Sequence, residues 1–229
     1  MNLARKHFQK TMAAKQSLEK PTDHIRPNAN QHELMMAQLH NHSRALKKTQ
    51  SLVAKATIKA SYIADYQAYI DGVISADSGN KDDVVTTIML WCIDAGNYAY
   101  ALQIAAYALK HDLPMPDKFG RNTACIIAEE IASAALKAPE DDKISLDVLS
   151  TAWELLEGAD YHDQAKAKLL KALGNANKDA NHPESAIEFY KEALLLNDRI
   201  GVKKELTALE KQVKDSIEPT TPDSEATTS

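Results

Sequence analysis

The run DDVVTTIMLWCIDAGN, residues 82–97, decides how this chain is read. Two carboxylates, Asp82 and Asp83, open it where the positive end of a helix dipole favours negative charge. Asp94-Ala95-Gly96-Asn97 closes it with a glycine that tolerates positive φ, so Val84 to Ile93 is expected to be one short helix. Downstream, Tyr98 to His111 reads as a second helix, with Ala101, Ala105 and Ala108 on one face where small side chains allow another helix to approach. Leu113-Pro114-Met115-Pro116 ends it, and Asn122 or Thr123 can cap a third helix running to about Leu136, before Pro139 and the acidic Glu140-Asp141-Asp142. Only 7 Gly, 8 Pro, 3 Phe and 2 Trp occur in 229 residues, so breakers and strand formers are scarce throughout. The fold class expected is all-α, a long N-terminal helix followed by helical hairpins.

Upstream, Gln31 to Ser75 contains no Pro and its first Gly is Gly72, and a single helix over that span would be about 67 Å long. Leu39, Leu46, Val53, Ala60 and Ile74 follow a heptad interrupted by Gln67, and Met35, Ala56, Ile63 and Ile70 share a second register. Such a seam suits either another subunit or the chain's own later helices. Leu39, Leu46, Val53 and Ile63 are the oligomer-interface candidates on the first reading. Residues 1–30 read as a basic arm with a short helix from Leu3 to Leu18, and 31–138 as a helical core holding the long oligomerisation helix. In residues 139–214, Gly174, Ala186, Tyr190 and Ala193 have the small, small, aromatic, small spacing of a tetratricopeptide hairpin, with Asn177 and Asp198 as departures. Leu146 to Glu157 is a degenerate forerunner, Val202 to Lys214 a charged helix after Gly201, and 215–229 a polar, disordered tail.

Net charge is −5, but its distribution is uneven. Residues 1–59 hold 11 Lys/Arg against 3 Asp/Glu, a net of +8, leaving −13 on the rest. A segment of that charge can neutralise phosphates and release counterions, whereas the acidic remainder repels a duplex. No GxxxxGK[ST], GxGxxG or HExxH occurs, so nucleotide hydrolysis and zinc-protease chemistry have no support. His40 and His42 point in different directions on a helix, and the pairs Asp82-Asp83 and Glu129-Glu130 are explained by a helix cap and a solvated face, so no metal and no cofactor is expected. Trp91 and Trp153 read as core. Two cysteines, Cys92 and Cys125, with no CxxC spacing and no long apolar run anywhere, fit a protein of the cytoplasm without a membrane span.

The stretch from Asp82-Asp83 through Met89-Leu90-Trp91, Asp94, Gly96, Ala101-Leu102, Ile104-Ala105, Tyr107-Ala108-Leu109, Leu113, Met115-Pro116 and Glu129-Glu130 resembles the small terminase subunit of P2-like tailed bacteriophages. Gly201-Val202-Lys203-Lys204-Glu205 with Leu209-Glu210 looks like that family's C-terminal helix. Relatives carry a Lys/Arg-rich tail where this chain ends in acidic, Thr and Ser residues, which shifts weight onto residues 1–59. The resemblance implies a packaging subunit in the host bacterial cytoplasm that binds double-stranded phage DNA at the cohesive-end site. It also implies a homo-oligomer, expected as a ring, that recruits the large subunit with its ATPase and nuclease. On that reading Arg5, Lys6, Lys10, Lys15, Arg44, Lys47, Lys48, Lys55 and Lys59 contact DNA, while Tyr190, Lys203 and Lys204 dock the large subunit. A catalytically competent endonuclease subunit and a purely protein-binding scaffold are the alternatives.

Overall fold

The computed structural model describes residues 3–18, 31–116 and 120–217. The expected tail over 215–229 and the part of the basic arm after Leu18 therefore lie largely outside the described residues. Ten α-helices and a short 3-10 turn at Glu140–Asp142 account for the described chain, with no strand among them. In order they are α1 (Leu3–Ser17), α2 (Gln31–Lys48), α3 (Leu52–Ala76), α4 (Asp83–Asp94), α5 (Tyr98–Lys110), α6 (Thr123–Lys137), α7 (Leu146–Leu155), α8 (Asp163–Asp179), α9 (Pro183–Leu196) and α10 (Lys203–Ile217).

The central helix is α4. Every residue from Val84 to Ile93 is buried, as befits a helix that is apolar on all sides. Asp82 caps it, its Oδ1 accepting from the amides of Val84 at 2.9 Å and Val85 at 3.4 Å, and Gly96 takes the positive φ that ends it. Around α4 pack α2 and α3 from upstream and α5 and α6 from downstream. One apolar core runs from Ala13 on α1 to Leu173 on α8, because α6 lies along α8 and presents Ala128, Ile131 and Ala132 fully buried.

The long helix expected over residues 31–75 is two helices. The chain leaves helical geometry at Thr49–Ser51, and the Ser51 hydroxyl accepts from the Ala54 amide at 3.3 Å to start α3 afresh. The Ser51 hydroxyl competes for the backbone there, so a run without Gly or Pro still breaks. The two helices then fold back on each other. His42 stacks on Tyr62 at 3.7 Å and 7° and shares a 2.9 Å hydrogen bond with Tyr66, while Tyr66 meets Trp91 of α4 edge-on. At the other end of α2, Tyr69 donates to Asp82 Oδ2 at 2.5 Å, so its oxygen is left to accept from His32 Nδ1 at 3.0 Å.

Helix α1 lies against α3 at Gly72. A Cβ at that position would collide with the Lys10 carbonyl oxygen and come within 2.9 Å of the Ala13 Cβ, so the missing side chain sets how closely the two helices approach. A second close contact joins α8 to α9, where a Cβ at Gly174 would run into the Tyr190 ring. Tyr190 is fully buried and its hydroxyl donates to Asn175 Oδ1 at 2.7 Å. Val202 and Leu209 of the α10 segment close a smaller cluster with Ala186 and Tyr190.

Candidate nucleic-acid interface

Between Leu34 and Ala64 there is no Asp or Glu, while Arg44, Lys47, Lys48, Lys55 and Lys59 all fall in that interval. The fold turns this run into the corner where α2 meets α3. On α2, Met35, Leu39 and Leu46 face inward, and His40, Arg44, Lys47 and Lys48, spaced four, three and one apart, share the outward side. Arg44, Lys47 and Lys48 are exposed and have no carboxylate partner among the described residues. Three cations in the last turns of a helix also complement its dipole, which keeps the cluster from opposing the fold that carries it.

A shallow groove runs beside this face. Met36, Leu39, His40, Ser43, Arg44 and Lys47 form one wall, and Asp83, Thr87 and Pro116 the other. Its carboxylate, Asp83, lies 4.0 Å from Lys81, so the negative charge next to the basic face is partly offset. The exposed cations beside the groove, Arg44, Lys47 and Lys48, all stand on regular helix.

The remaining expected contacts divide by environment. Arg5, Lys6, Lys10 and Lys15 are exposed on α1. Lys55 is half-buried in the first turns of α3, and Lys59 is ion-paired with Asp94, tying α3 to the end of α4. Lys59 therefore has a structural duty that the other cations of the corner lack. Of the four seam residues, Leu39, Leu46 and Ile63 are buried in the chain's own core, whereas Val53 is 78% exposed. Between the two readings of the heptad, these three side chains hold α2 and α3 to their own neighbours. Lys203 and Lys204 are exposed at the start of α10, but the Tyr190 ring is enclosed and offers no surface to a partner.

Sequence reading missed the polar contacts that fasten α2. Tyr62, Tyr66 and Tyr69 are four and three apart on one face of α3, and His32 and His42 lie opposite them, a pattern visible as spacing but not as pairing. The Asp82 carboxylate, 3.6 Å from Nδ1, is the largest influence on His32 and raises its pKa, while burial lowers that of His42. These histidines are thus drawn into packing rather than left in solvent. Asp82 serves as a cap and Glu129 is ion-paired with Arg121. No group of three or more His, Cys, Asp or Glu is placed to hold a metal among the described residues. Both cysteines are free and buried, and burial pushes the Cys92 thiol up to about 12, so it stays protonated at neutral pH. No helix among the described residues is long and apolar enough to cross a membrane.

These features define an all-helical protein whose surface charge is divided between a basic N-terminal corner and an acidic remainder. Residues 36–164 match the family model of the phage small terminase subunit, and the chain belongs to that family, which gives it a role in phage DNA packaging. A protein of Escherichia phage P2 named terminase, endonuclease subunit, is 35% identical over 193 residues, 84% of this chain and 78% of that relative. No solved structure matches the chain.

Proposed function

We propose that the protein is the DNA-recognising adaptor of its terminase: it binds the cohesive-end region of double-stranded phage DNA, gathers as several copies, and brings in the large ATPase and nuclease subunit in the host bacterial cytoplasm. The observation that carries the reading is the carboxylate-free interval from Leu34 to Ala64, whose Arg44, Lys47 and Lys48 stand together and exposed on one side of α2. Each cation that meets a phosphate releases counterions, and several copies on one duplex convert weak single contacts into avidity. Arg5, Lys6, Lys10 and Lys15 of α1 add a second set of contacts, and Lys55 extends the first. Lys203 and Lys204, at the exposed start of α10, are the large-subunit dock.

Self-association in this reading does not use Leu39, Leu46 and Ile63, which the chain buries for itself. A native mass measurement with and without a cohesive-end duplex tests the proposal. It is supported by a mass that is a multiple of 25.2 kDa and rises by one duplex, and it fails if the protein ignores the duplex at low salt.

The name of the phage P2 relative, terminase, endonuclease subunit, favours a second reading, in which this subunit itself cleaves DNA. That reading requires Mg²⁺-dependent cutting by the purified chain, abolished by replacing Asp82, Asp83, Glu129 and Glu130. Asp82 and Glu129 are already engaged in a cap and an ion pair, which supports the adaptor reading instead.

A further inference from the structure

At the tip of the α2–α3 corner, two adjacent apolar side chains face water. Leu52 is 80% and Val53 78% exposed, and they form the first turn of α3, fixed by the Ser51 cap rather than carried on a loose loop. Single exposed apolar residues are ordinary on protein surfaces. What sets this pair apart is its setting, with Lys47 and Lys48 before it, Lys55 after it, and no carboxylate within the surrounding interval.

Resting on the DNA-binding reading above, we propose that this corner is a wedge: Leu52 and Val53 enter a base step of duplex DNA and open it, while Arg44, Lys47, Lys48 and Lys55 hold the phosphates on either side. The charge selects the occupant. A symmetric contact between two copies would bring the same lysines face to face, whereas a duplex presents phosphates to them and an apolar stack between. Adjacent helical positions diverge by about 100°, so the two side chains spread across a step instead of lining up behind one another. The rigid cap matters because an ordered wedge loses little side-chain and backbone freedom on insertion. Bending at a flexible pyrimidine–purine step then contributes to site choice without any hydrogen bond to a base.

The test uses the full-length protein and two end-labelled duplexes, one with a central TA step and one without, read by energy transfer between the ends. Wild type is expected to shorten the end-to-end distance of the TA duplex and to bind it roughly tenfold more tightly than the other. The variant Leu52→Ser with Val53→Ser should still bind, with its salt dependence kept, but lose both the bend and the preference. Val53→Phe, a larger wedge at an exposed position, should keep both. Full bending by the double serine variant overturns the wedge and leaves the phosphate contacts standing. A lower native mass for that variant overturns it in favour of a subunit contact. Absence of salt-dependent binding by the wild type removes the wedge and the DNA reading together.

Discussion

Gly72 and His32 show how single residues settle the placement of whole helices. The collision that a Cβ at 72 would make with Lys10 and Ala13 predicts that Gly72→Val lifts α1 off α3. The expected loss is about 1–3 kcal/mol in denaturant unfolding, with faster amide exchange in residues 3–17, and an unchanged stability would mean the helices do not meet so closely. His32 gives a pH dependence of known sign. Its pKa is raised chiefly by the Asp82 carboxylate 3.6 Å away, with Asp83 and Glu33 adding to the effect. A raised value means the stabilisation is complete below the ordinary histidine pKa of about 6.5 and fades as pH climbs through the folded-state value. The midpoint of the wild type relative to that of His32→Gln should therefore fall on passing from slightly acidic to slightly alkaline pH, because His42, whose pKa burial lowers, contributes with the opposite sign to both proteins. Tyr190 belongs to the same scale: Tyr190→Phe should cost about 1 kcal/mol through the lost bond to Asn175 and leave large-subunit binding untouched, because the ring is enclosed.

Among the elements, α4 was legible in full, since Asp82, the apolar run and Gly96 state its start, its burial and its end within sixteen residues. Helix α6 was nearly as plain because Asn122, which accepts from the Cys125 amide, is a local signal, and α5 and α10 begin soon after the positive-φ glycines Gly96 and Gly201. The α2–α3 break was not, because Ser51 is tolerated inside a helix as well as at its cap, and the pairing of His42 with Tyr62 that accompanies the turn is tertiary. The seam shows the same limit: a heptad records that a stripe is apolar, not which partner covers it. Leu46 faces the chain's own core, so Leu46→Asp should destabilise the monomer by at least about 3 kcal/mol, seen as a lower melting midpoint in circular dichroism. Dissociation into folded single subunits at an unchanged midpoint would contradict that placement.

For the molecule as a whole, charge segregation was readable from the chain and its meaning depended on the fold. Counting residues locates the basic segment but cannot tell that Lys59 is committed to Asp94 while Arg44, Lys47 and Lys48 stand clear. Of the cations in residues 1–59, the fold brings Arg44, Lys47, Lys48 and Lys55 to the α2–α3 corner, while Arg5, Lys6, Lys10 and Lys15 stand apart on α1. The most direct measurement is therefore the salt dependence of duplex binding by the wild type and by the variant carrying Arg44→Ala, Lys47→Ala and Lys48→Ala. The account predicts a steep loss of affinity with salt for the wild type and a slope shallower by about two to three for the variant, close to one per phosphate contact removed. Equal slopes for the two proteins would contradict it.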